Sequence, residues 1–190
     1  LAERALATTQ PAARSPRPDT LDLTTPEPSA APAHVRQAAK DALDRGETHY
    51  TARPGVPELR RAIAARSTAE GFPATVDSVV VTNGGAEALY IALQSALKPG
   101  ERLFVGGPVA PNVAEMIRFI GAEPHHLPLD PRSFVPAADD LSIGPGIGAR
   151  ALLLASPSPV TGAAIPDVRL ARLVRAALGH ELTVILDRTL

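Results

Sequence analysis

Hydrophobic and polar positions along this chain alternate between two periods. Val79, Val80 and Val81 form a β-branched run that suits a pleated, buried surface and predicts a strand over 78–82. Directly after it, Ala86, Leu89, Ala92, Leu93, Ala96 and Leu97 recur at helical spacing and predict a helix over 86–97. Upstream, "APAHVRQAAKDALDRG" and "PELRRAIAARSTAEG" read as helices stopped by Gly46 and Gly71, with Pro57 tolerated in the first turn of the second. Downstream, "RLFVGG" predicts a short strand and "PNVAEMIRFIGA" a helix with Val113, Met116, Ile117 and Ile120 on one face. "EPHHLPL" suits an edge strand, where proline is tolerated. "RALLLAS" and "LTVILD" predict two further strands, joined by a helix from Pro166 that buries Leu170, Leu173, Val174 and Leu178. Strands apolar on both faces alternating with amphipathic helices imply an α/β fold: a three-layer α/β/α arrangement around a mainly parallel sheet. Residues 1–20 lack periodicity and read as a flexible N-terminal arm ahead of a domain over 21–190.

Composition narrows the function classes. The net charge is -1 with both signs interspersed, and aromatics are 3% of the chain, so neither a nucleic-acid surface nor an anionic membrane is indicated. No run of about 18 apolar residues predicts a membrane span. The N-terminal stretch lacks the apolar core of a secretory signal, which makes the cytoplasm the default compartment. The absence of cysteine removes disulfides, thiolate chemistry and cysteine zinc sites. The adjacent His125 and His126 point to opposite faces of a strand and read as a solvated pair, so no metal site is expected.

In open α/β sheets, ligands bind beyond the carboxyl ends of the strands. Thr82–Ala86, Gly106–Ala110, Ser156–Gly162 and Asp187–Leu190 all fall there. At the first, two glycines open a helix whose unpaired N–H groups and positive dipole end favour an anion such as phosphate. A tight turn that needs glycine is the competing reading. The loop "GPGIG" precedes a strand rather than following one and reads as a plain connection. Asp187 ends an apolar strand, where a carboxylate can bind a protonated ring nitrogen, hold a metal or cap the next turn. Tyr50, in the loop before Gly55, is a further candidate contact.

From about Leu21 onward, four segments in order resemble the large domain of the fold-type I, pyridoxal-phosphate-dependent aminotransferases of class I/II. "THYTARPGVPELRRAIA" resembles the family's Tyr-Thr-x-x-x-Gly-x-x-x-Leu-Arg segment, and "VVVTNGGAEAL" its phosphate-binding strand–turn–helix. "SPSPVTG" stands in the place of the Asn-Pro-x-Asn-Pro-Thr-Gly loop, and "VILD" resembles the strand whose Asp pairs with the pyridine nitrogen. The resemblance implies pyridoxal 5'-phosphate as cofactor and amino-group transfer between an amino acid and a 2-oxo acid. It implies backbone N–H groups of Gly85 and Ala86 on the phosphate, and Asp187 on the ring nitrogen, which keeps the ring an electron sink. Tyr50 would reach the phosphate of a neighbouring subunit, implying a homodimer.

Departures from the family pattern are equally specific. Ala110 stands where an aromatic ring usually stacks on the cofactor, Pro159 replaces an Asn donor, and Leu190 replaces a Tyr. Pro26 stands where a Gly usually contacts substrate. The family's Schiff-base lysine and substrate-binding arginine lie beyond the aspartate strand, and the chain's two lysines, Lys40 and Lys98, occupy helix positions that do not match the former. Two further strands of the family sheet also follow Asp187, so a domain incomplete at its C-terminus, completed by a C-terminal partner segment, is implied. The alternative is a non-catalytic binding or regulatory relative with a degenerate cofactor site.

Overall fold

The computed structural model describes residues 30–136 and 148–189. The expected arm at 1–20, Pro26, residues 144–147 of the "GPGIG" loop and Leu190 lie outside the described residues. The chain divides into two compact units, with the boundary between Tyr50 and Thr51.

In the first unit, helix α1 spans Ala33–Asp44 and buries none of its residues. Its end carries Arg45, and the chain reverses at Gly46 with φ of 73°.

The second unit carries helix α2 (Pro57–Ala69), a 3-10 turn at Val76–Ser78 and helix α3 (Gly84–Ala96). Strand β1 (Arg102–Val105), helix α4 (Pro111–Ile120) and strand β2 (Glu123–His126) follow. Strand β3 (Ala149–Ala155), helix α5 (Asp167–Gly179) and strand β4 (Thr183–Asp187) complete it. All strand pairs are parallel, in the order β2-β1-β3-β4. The register sets Phe104 beside Leu152, Val105 beside Leu153 and Ala155 beside Asp187.

Alternation along the strands sorts the core onto two faces. Leu103, Val105, Leu153 and Ile185 pack with Leu89 and Leu93 of α3 and Val113 and Ile117 of α4. Phe104, Leu152 and Leu154 pack on the other face with Leu173 and Ala177 of α5. Helices therefore cover both sides of the sheet, as the alternation predicts. Leu93, Phe104, Leu152, Leu154 and Leu173 are fully enclosed, each contributing about 1.5–3 kcal/mol of apolar burial.

Three expectations need correction. Residues 79–82 are extended at Val79 (φ -106°, ψ 128°) but belong to no strand, because no described strand lies alongside to complete a ladder. Val80 is accordingly 63% exposed. In α5, Leu178 is exposed and Ala177 takes the buried position instead, one residue earlier on the helix face. Lys98 lies in the turn after α3 rather than within the helix.

β1 leads through α4 to β2 on one side, while β3 leads through α5 to β4 on the other, with the two helices on opposite faces. The winding thus reverses between β1 and β3. That switch point is where such sheets open a crevice at their carboxyl edge.

Candidate functional site

The crevice is present. Two adjoining hollows at the carboxyl edge share Leu89, Ala110, Val113, Pro159 and Asp187 as lining residues. One runs down between Val105–Gly106 at the end of β1 and Leu153–Ala155 at the end of β3. The other, of about 250 Å³, opens toward the start of α3. It far exceeds the ~10–15 Å³ that a single water needs.

Gly85 and Ala86 line that second hollow together with Asp187. Each residue reaches it for a local reason. Gly84 turns the chain into α3 with φ of 83°, a conformation that disfavours any Cβ. Asn83 precedes the helix but makes no side-chain cap bond. The Gly84 N–H donates to the Thr82 carbonyl at 2.9 Å, and the Asn83 N–H donates to the Glu87 carboxylate. The next two donors, Gly85 and Ala86, have no acceptor among the described residues. A helix start with its cap unfilled and its first-turn acid drawn back to Asn83 leaves two N–H groups for an external anion.

Asp187 arrives from the other side, at the end of β4, where its backbone carbonyl accepts from the Ser156 N–H at 3.0 Å. Its Oδ1 accepts the Thr189 N–H at 2.9 Å and also the Thr189 hydroxyl. Among the described residues nothing donates to Oδ2. The carboxylate thus caps its own turn through one oxygen and lines the hollow as well.

Thr189 was not singled out by the sequence reasoning. A Cβ built on Gly85 would lie 2.8 Å from its Oγ1, so the second glycine of the turn is needed for close approach to this neighbour. Asp-x-Thr is a local pattern in which a carboxylate takes donors two residues on, and that was the available signal.

The loop after β3 supplies Pro157 and Pro159 to the wall. Ser158 folds it: its hydroxyl accepts from Val160 and Thr161 N–H, and its backbone carbonyl from Gly162. Ser156–Pro157 is a cis peptide bond. Ala110 and Pro159, the two residues at which the family pattern lacks a ring and a donor, face the same hollow. Tyr50 belongs to the first unit, where its side chain is exposed. His125 and His126 are both exposed, His125 lying edge-on to Phe104 at 5.4 Å. No cluster of metal-ligating side chains occurs among the described residues. No helix among them is long and apolar enough to cross a membrane.

Comparison with known proteins gives a consistent result. The family model for aminotransferase class I and II matches residues 18–189. A probable aspartate/prephenate aminotransferase of Thermus aquaticus is 35% identical over 172 residues, covering 89% of this chain and 45% of the relative. A valine–pyruvate aminotransferase of Mycobacterium tuberculosis is 32% identical, covering 89% of this chain and 44% of that protein. A solved aspartate aminotransferase from Thermus thermophilus with maleate superposes with a TM-score of 0.76 at 34% identity, over 82% of this chain and 41% of the other. The chain spans less than half the length of each of these relatives.

Proposed function

The chain belongs to the class I and II aminotransferase family, and from that premise we propose that its hollow seats pyridoxal 5'-phosphate for amino-group transfer between an amino acid and a 2-oxo acid. One observation supports this above the others: Gly85, Ala86 and Asp187, from segments a hundred residues apart, line one hollow at the sheet's switch point. The two open N–H groups suit a phosphate, and a carboxylate with one free oxygen suits a protonated ring nitrogen. When bound, the cofactor supplies an electron sink for charge developing at the substrate Cα. Gly85 and Ala86 orient it, and Asp187 holds a proton on its ring nitrogen. Tyr50 would serve the phosphate of a partner subunit in a homodimer. The lysine and the substrate-binding arginine would come from sequence beyond this chain.

The test is titration of the 190-residue chain with pyridoxal 5'-phosphate, followed by absorbance, against the same chain carrying Ala86→Pro. That substitution deletes one N–H in the first helical turn, where no intrahelical hydrogen bond is lost. Affinity is expected to fall about tenfold or more, the weight of one hydrogen bond to a charged group. Unchanged affinity would remove the phosphate seat from Ala86.

A second reading has its own support. Ala110 and Pro159 give the hollow walls without a stacking ring or a donor, as expected of a binding or regulatory relative that keeps the seat and not the chemistry. Amino-group transfer by the chain joined to a C-terminal segment carrying the lysine would dismiss it.

A further inference from the structure

Leu89 and Leu93 anchor the body of α3 in the core, but the apolar segment leading into its first turn has no β-ladder, so something else must fix how the chain enters at Gly85 and Ala86. Arg60, in the first turns of α2, is the group in place. Its side chain is 12% exposed. Its Nε donates to the Val79 carbonyl at 3.0 Å and its Nη2 to the Val76 carbonyl at 2.6 Å. Asp77 stands 3.6 Å from the same nitrogen. A guanidinium presents its donors in a rigid planar fork, so one side chain can fix two carbonyls, that of the 3-10 turn and that of the extended Val79 after it.

A second hold lies two residues further on. The Val81 N–H donates to the Pro54 carbonyl at 2.8 Å. Gly55 lies flat against Val81, with φ of 109°; a Cβ there would fall 2.5 Å from Val81 Cγ2. Pro54, Gly55 and Arg60 all belong to "RPGVPELR", and the segment they grip runs straight into Thr82-Asn83-Gly84-Gly85.

The geometry points to Arg60 as a positioning residue for the anion seat: through the Val76 and Val79 carbonyls it holds the chain where the ladder missing from 79–82 would begin, and thereby sets the direction of the Gly85 and Ala86 N–H groups. Only the ligand arm of its test rests on the function proposed above.

The experiment compares the 190-residue chain with Arg60→Gln and Arg60→Lys, first without ligand. Amide hydrogen exchange read by NMR should accelerate by about tenfold or more at Val81 in Arg60→Gln, while Leu103 and Leu153 in the sheet keep their protection. Gly85 and Ala86 amide resonances should shift in the same variant. Arg60→Lys, which keeps the charge but offers no fork, should fall between. The ligand arm measures affinity for pyridoxal 5'-phosphate against pyridoxal. Arg60→Gln should lower the preference for the phosphorylated form and leave pyridoxal binding unchanged. Unaltered exchange at Val81 overturns the inference, as does loss of protection throughout the sheet, which would mark Arg60 as a general stabiliser. If the unsubstituted chain shows no preference for the phosphorylated form, the phosphate reading fails and the exchange data alone decide on Arg60.

Discussion

Val79–Val81 and Leu152–Leu154 are both apolar triplets that end just before a stretch lining the candidate site, yet the chain holds them by different means. Leu152, Leu153 and Leu154 are hydrogen-bonded between β1 and β4 and buried on both faces. Val79 is buried, Val80 is 63% exposed, and the segment is held by a guanidinium, a loop carbonyl and a glycine contact. The contrast shows that a strand is a relation between segments. Side-chain type sets what suits a sheet, but a neighbour makes one. It also shows that one wall of the candidate site is entered from the packed sheet and the other from a segment held by a few polar contacts.

The widest separation between the two triplets is expected in stability. Leu152→Ala empties a fully enclosed position and should cost about 2–5 kcal/mol. Val80→Ala should stay within about 0.5 kcal/mol, as at other exposed sites. Urea unfolding of the two variants checks this. Equal losses would mean that 79–82 is packed in solution as a strand is.

Gly55→Ala attacks the other triplet's hold. The new Cβ meets Val81 at 2.5 Å in a backbone conformation that already disfavours it; the expected loss is about 1–3 kcal/mol. Part of it should return in Gly55→Ala combined with Val81→Ala, because the smaller side chain removes the collision. A double-mutant cycle measures that coupling. Simple additivity would leave backbone strain alone as the cause and would weaken the case for contact between the two motifs.

These differences track what local sequence could show. The α/β alternation was legible because β1, β3, α4 and α5 each carry their own period, and the carboxyl-edge rule then brought Gly85, Ala86 and Asp187 to one side. Residues 79–82 misled because three valines carry the same local signal with or without a partner strand. Leu178 misled because helical spacing fixes a face only to within a residue, and the packed face of α5 runs through Leu173 and Ala177. Arg60 ends the Tyr-Thr-x-x-x-Gly-x-x-x-Leu-Arg pattern, but its role was hidden for a different reason. In "PELRRAIAARS" it is one of several arginines, and only its distance to carbonyls 16 and 19 residues away sets it apart.

The smallest expected effect concerns the far end of α2, where side-chain ties also reach β4. Glu70 accepts from Arg66 at 2.8 Å and from Arg188 at 3.1 Å, and Arg188 lies 4.5 Å over the Phe72 ring. The hydrogen bond from Arg66, with the charges of Arg66 and Arg188 behind it, holds the Glu70 carboxyl below its ordinary value near 4.5. A carboxylate lowered in this way favours the folded state at pH above its ordinary value, and the contribution disappears as pH falls through the lowered one. Glu70→Gln should therefore lower the urea midpoint slightly at pH 7, and the gap from the unsubstituted chain should close as pH falls through the lowered carboxyl value. Added salt should narrow it too, since the pair is exposed. The effect is expected to stay small because Asp187, next to Arg188, is already fixed by the ladder with β3 and by the Ser156 N–H. A gap that persists in acid would assign the loss to packing around Phe72. A gap at pH 7 as large as that of Gly55→Ala would mean that the end of β4 also depends on side chains for its place.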